Sequence, residues 1–114
     1  MARELIHPDA DDVSLDAVLA ALADPVRRTI LAQLARGHDD QACLAFRLPV
    51  SKSTSTHHFR VLREAGLITQ RYEGTAILNA LRSDDVEARF PGLVSSVIEA
   101  ERRSQDDGGA PVPR

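Results

Sequence analysis

Residues 51–57 read Ser-Lys-Ser-Thr-Ser-Thr-His, five hydroxyl side chains with one lysine and one imidazole in seven positions. Small hydroxyls at a helix start allow close approach to a duplex and can donate to phosphates or touch base edges. The free backbone N–H groups of such a start also hold a phosphate. Arg60 and Arg63 follow one and two turns later, where they would reach the sugar-phosphate backbone. The same stretch raises a second chemistry, because His57-His58 beside Ser and Thr could form a nucleophile–base pair. No carboxylate has an evident role as orienter and no Gly-rich phosphate loop occurs, so the chain is not read as an enzyme.

The elements around this run must position it. Residues 1–11 are polar and form a flexible N-terminal arm. Leu15, Val18, Leu19 and Leu22 recur at helical spacing, with Ser14 or Asp12 as cap. Asp24-Pro25 opens a second helix carrying Val26, Ile30, Leu31 and Leu34 inward and ending at Gly37. A short helix is expected around Gln41–Arg47, a turn at Leu48-Pro49-Val50, and a longer helix from Ser51 or Ser53 to Ala65. Its inward face would be Thr54, His58 or Phe59, Leu62 and Ala65. Residues 67–72 and 75–81 suit strands joined at Glu73-Gly74. A helical turn at Ser83 and a last helix from Leu93 follow, and residues 104–114 are a disorder-type tail. Helix, helix, short helix, helix, hairpin, helix is a mainly α (α+β) winged helix-turn-helix. Its domain spans 12–103, with a two-stranded wing whose Arg71 and Thr75 flank the tip. A duplex-binding face is then Ser51, Lys52, Ser53, Ser55, Thr56, His57, Arg60, Arg63, Arg71 and Thr75, the second helix of the motif lying in the major groove.

The formal charge of −3 over 114 residues argues against a nucleic-acid partner only until it is divided. Residues 47–82 carry Arg47, Lys52, Arg60, Arg63, Arg71 and Arg82 against Glu64 and Glu73, a net of +4. Residues 1–24 hold Arg3 against six acids, and residues 83–114 hold four Arg against seven acids. Base thus sits on the proposed reading helix and wing, and acid at both ends. One cysteine, Cys43, excludes an internal disulfide framework. No apolar run is long enough for a membrane span and no signal peptide is evident, so a cytoplasmic protein with no membrane partner is expected.

Two stretches are familiar as wholes. Ala21-Leu22-Ala23-Asp24-Pro25-Val26-Arg27-Arg28-Thr29-Ile30-Leu31 resembles the opening "ALADPTRRRIL" of the ArsR/SmtB-type repressors. Residues 51–68, from Ser51 through His57-His58-Phe59-Arg60-Val61-Leu62-Arg63-Glu64-Ala65-Gly66 to Ile68, resemble their "LSQSTVSHHLKVLREAGLV". Glu73-Gly74-Thr75 sits where their wing turns. The resemblance covers about residues 15–82. It implies a homodimer bound to an imperfect inverted repeat of an operator, with two reading helices roughly 34 Å apart. It places the dimer interface on the first and last helices, here Leu15, Val18, Leu19, Leu22, Leu93, Val94, Val97 and Ile98.

Two metal sites of that family do not carry over. Where many members have Cys-x-Cys this chain has Asp40 and Ala42, and residues 93–105 contain no His. Cys43 reads as a structural thiol. His7 and Asp9 in the arm, with His38 and Asp39 after the second helix, form a nitrogen/oxygen set suited to Ni²⁺, Co²⁺ or Zn²⁺ if the arm folds over that break. The alternatives are a regulator that answers a non-metal signal, and a winged-helix module that binds protein instead of DNA.

Overall fold

The computed structural model describes residues 5–36, 41–42 (backbone), 46 and 48–106. A 3₁₀ turn at Ala10–Asp12 leads into α1 (Leu15–Leu22) and α2 (Pro25–Ala35). Then come β1 (Gln41–Ala42), α3 (Lys52–Glu64), β2 (Ile68–Glu73), β3 (Ala76–Leu81), α4 (Ser83–Arg89) and α5 (Leu93–Asp106). Among the described residues the fold is five helices with an antiparallel β2–β3 hairpin, the winged helix-turn-helix expected.

The helix starts follow capping chemistry. Ser14 Oγ accepts the Ala17 N–H at 3.1 Å and opens α1. Asp24 Oδ1 accepts the N–H groups of Val26 (2.8 Å) and Arg27 (3.2 Å), and Pro25 takes the first helical position, where no N–H is needed. α3 ends at Gly66, whose φ of +86° lets the chain reverse while Leu67 N–H donates to the Leu62 carbonyl at 3.0 Å. The core joins Val18, Ala21 and Leu22 of α1, Ile30, Leu31 and Leu34 of α2, Phe59 and Leu62 of α3, Ile68 of β2, and Val94 and Ile98 of α5. It seats α3 with its outer face free.

Four expectations change. Gln41 and Ala42 are strand, not helix: they pair with Asn79 and Leu78, so the hairpin gains a third, short strand in the order β1-β3-β2. The rest of the expected short helix (43–45 and 47), Gly37 and Cys43 lie outside the described residues. α5 continues through Asp106 because Gln105 Nε2 reaches Glu101 one turn back (2.9 Å) and Thr29 of α2 (3.2 Å), so residues 104–106 are helix and not tail. Thr54 is exposed, and the inward face of α3 is His58, Phe59 and Leu62. Residues 5–13, the part of the arm described, are held by guanidinium groups that donate to their carbonyls. Arg63 Nε reaches Ile6 (3.1 Å), Arg82 Nη1 reaches Pro8 (2.9 Å), and Arg89 Nε reaches Val13. Charge-assisted bonds to an extended backbone secure a segment that hydropathy alone leaves loose.

Candidate nucleic-acid interface

Ser51 is the N-cap of α3. Its Oγ accepts the Thr54 N–H at 3.2 Å and donates to Thr54 Oγ1 at 3.0 Å. Its hydroxyl is therefore engaged on its own helix. Thr56 Oγ1 likewise donates to the Lys52 carbonyl (3.0 Å), leaving its oxygen free to accept. Lys52, Ser53, Thr56, His57 and Arg60 are exposed along one face, and Ser55 is half-buried toward the hairpin. His57 Nδ1 and Arg60 Nη2 lie 3.4 Å apart on that face. From residue 51 to 63 there is no acid. Arg71 and Thr75 are exposed on β2 and in the turn beyond it, where Gly74 takes φ +62°.

Arg63 departs from the expected role. It is half-buried, its Nη1 donates to Gln70 Oε1 at 2.6 Å, and its Nε holds the Ile6 carbonyl. Gln70 Nε2 in turn donates to Asn79 Oδ1 at 2.8 Å, and both amides are buried. Arg63 is thus a tie from α3 to the wing sheet. A buried polar chain of this kind fixes geometry because each unmade bond would cost a desolvated group. The alternation of inward positions 68 and 70 marks Gln70 as an inward polar residue in the sequence, but nothing there names its partners.

Arg27 and Arg28 have no role in the sequence reading; Arg27 helps set where α3 lies, and Arg28 ties α2 to α1 and α5. Arg27 Nε donates to the Ala21 carbonyl (2.8 Å), and its Nη1 meets His58 Nδ1 at 3.0 Å. It joins the end of α1 to α3. Arg28 donates to the Leu22 carbonyl (2.9 Å) and pairs with Glu101 of α5 (2.8 Å). Helix C-terminal carbonyls are natural targets for cations.

His58 accepts from Arg27 at Nδ1, so its neutral form carries the proton on Nε2. Burial holds this imidazole below its ordinary titration range; Arg27 and His57 act in the same direction, and Asp24 opposes them. The unfolded chain, with an ordinary histidine near pH 6.5, then takes up the proton first as pH falls. Stability is full above about 6.5 and is lost as pH drops from there toward the lowered folded value. We expect urea midpoints to fall between about pH 7.5 and 5.5 and to fall less in His58→Asn, which keeps an acceptor without a proton-binding site. Equal slopes in the two proteins would remove His58 as the cause.

The metal candidates separate. His7 Nε2 accepts the Gln70 N–H at 2.9 Å, and the ring also hydrogen-bonds the Leu5 backbone. An imidazole needs a free lone pair to bind a metal, so in this arrangement His7 is a backbone acceptor that caps the open edge of β2. Asp9 caps the 3₁₀ turn without a side-chain bond. His38 and Asp39 lie outside the described residues. No cluster of three potential ligands occurs among the described residues.

The expected dimer stripes also divide. Val18, Leu22, Val94 and Ile98 are buried in this chain's own core and offer no surface to a partner. Leu15 and Leu19 are each 46% exposed, and Leu93 and Val97 are half-buried. Helical periodicity finds a face that is buried and cannot tell what buries it.

Comparison with known proteins agrees with this geometry. A family described as a helix-turn-helix domain matches residues 22–71. The HTH-type transcriptional regulator CmtR of Mycobacterium tuberculosis is 33% identical over 81 residues, covering 71% of this chain and 69% of its own. The HTH-type transcriptional regulator YceK of Bacillus subtilis is 28% identical over 90 residues, covering 77% of this chain and 90% of its own. The structure of an ArsR-like transcriptional regulator from Rhodococcus sp. RHA1 superposes with a TM-score of 0.58 at 31% identity, covering 83% of this chain and 90% of that one. These relatives are regulators and not enzymes, and among the described residues no helix is long and apolar enough to cross a membrane. With α3 seated by Arg27 and Phe59, and the β2–β3 hairpin tied on by Arg63 and Gln70, the chain belongs to the ArsR family of winged helix-turn-helix transcriptional regulators.

Proposed function

We propose that this regulator binds an operator inverted repeat as a homodimer, with the start of α3 in the major groove and the β2–β3 turn against the neighbouring backbone. The acid-free, exposed face of Lys52, Ser53, Thr56, His57 and Arg60 carries the reading. Lys52 and Arg60 supply phosphate contacts; Ser53 and His57 are placed to meet base edges. Arg60→Ala is expected to weaken binding to all sequences and to lower the slope of log K against log salt by about 1. Ser53→Ala or His57→Ala should instead relax sequence choice. A gel-shift salt series on duplexes selected from the host genome reads both, and an unchanged slope in Arg60→Ala would refute this placement of α3.

Leu15 and Leu19 are the exposed apolar pair of α1 and, with Leu93 and Val97, form the self-complementary surface we assign to the dimer. Leu15→Glu with Leu19→Glu should yield a monomer by sedimentation without lowering helix content. A dimer unaffected by that change would move the interface elsewhere. A response to Ni²⁺ or Zn²⁺ through His7, Asp9, His38 and Asp39 would require His7 to leave Gln70. Calorimetry with either ion, in the wild type and in His7→Ala plus His38→Ala, tests it, and absence of heat removes it.

A further inference from the structure

A cavity of about 600 Å³ lies between α3 and the hairpin. Its lining is largely apolar: half-buried Leu48, Val50 and Ile77 with exposed Tyr72, over the buried Phe46 and Phe59 rings, which stand edge to face at 5.1 Å. Its rim is cationic, with Lys52 and Arg60 at the α3 side, and its lining contains no carboxylate. A duplex accounts for the cations, since phosphates need them. It does not account for the half-buried aliphatic side chains Leu48, Val50 and Ile77 set back between the two DNA-facing elements. The volume is that of a small-molecule site, for which the range is about 300–1,000 Å³. Apolar walls with a positive rim complement one chemistry, an apolar body ending in a single negative charge.

We propose that this cavity binds an amphiphilic carboxylate and that such a ligand and operator DNA exclude one another. The apolar body lies on Leu48, Val50 and Ile77, and the carboxylate meets Lys52 and Arg60, the cations the duplex also uses. The exclusion rests on the DNA-binding reading above; the site itself does not. A ligand that binds only the DNA-free protein weakens operator binding by the factor 1 + [L]/Kd, about elevenfold at ten times its Kd. The signal that releases the operator is then read at the DNA face itself.

Decanoate is the probe, with decanol as a neutral molecule of the same body, titrated into the 114-residue chain by calorimetry and amide NMR. The expected result is one saturable site with decanoate, shifts confined to residues 48–60 and 70–77, and decanol at least tenfold weaker. Lys52→Ala with Arg60→Ala should lower decanoate affinity tenfold or more, and Ala76→Phe, which fills the cavity, should abolish it. Absence of saturable binding, equal affinity for decanol, or shifts centred elsewhere would each overturn the site, and the decanol arm needs no variant to fold. Duplex binding with and without decanoate then tests exclusion: an unchanged duplex affinity at saturating decanoate refutes it. If decanoate binds and no duplex does, the DNA reading has failed while the site stands.

Discussion

Phe59→Ala is expected to lower the unfolding free energy by about 3–5 kcal/mol. Phe59 is 2% exposed and is the largest fully buried side chain among the described residues. Its ring edge meets Phe46 at 5.1 Å with the planes 88° apart, a geometry that adds to the plain burial of area. On α3 it stands between His58, held by Arg27, and Leu62, in the core. Removing the ring leaves a cavity beneath the reading helix that these fixed neighbours cannot close. Domains of this size have a total stability of about 5–15 kcal/mol, so the variant should sit near its unfolding limit. Urea unfolding measures the loss, and a cost below about 1 kcal/mol would show that α3 is not seated by this ring. DNA affinity should fall with it, because Lys52 and Arg60 lose the platform that holds them.

Gly66→Ala should cost about 2–5 kcal/mol, from two causes that can be separated. Gly66 has φ +86°, where an L residue loses about 1–2 kcal/mol. A Cβ there would also fall 2.4 Å from Val13 Cγ2, and overpacking of a tight core contributes about 1–3 kcal/mol more. Val13 is buried at the end of the N-terminal segment, so the collision pushes that segment off the end of α3. The double variant Gly66→Ala with Val13→Ala removes the overlap and should be less destabilised than the sum of the two single changes, a coupling read by a double-mutant cycle. Gly74→Ala is the control, with φ +62° but nothing within 4 Å of the added carbon, so only the backbone cost of about 1–2 kcal/mol remains. Equal losses at the two glycines would mean that Val13 yields.

Local chemistry made most of the fold legible. Ser14, Asp24-Pro25 and Ser51 start helices because each supplies what a helix start lacks, an acceptor for free N–H groups or a residue with no N–H to satisfy. Gly66 and Gly74 turn the chain because positive φ costs glycine nothing. Local propensity does not decide where a partner distant in sequence does. Gln41 and Ala42 are strand because β3 offers them an edge, whatever their own propensity. Residues 5–13 are held because arginines 57 to 76 positions away donate to their carbonyls.

The reading face shows the same division. Its hydroxyls, its lysine and the segment charge of +4 follow from the sequence alone, since a helix start must display its first residues and charge is additive. Which residues remain free was settled only by the tertiary structure. Ser51 is engaged as a cap, Arg63 is turned inward to Gln70, His7 accepts from the backbone of β2, and half of each dimer stripe faces its own core. The physical reason is one of competition. Sequence states which groups can donate, accept or be buried, but each donor and each apolar face goes to the partner that three-dimensional packing brings nearest. For arginine and histidine, whose reach and donor geometry suit many partners, that choice cannot be read from their neighbours in the chain.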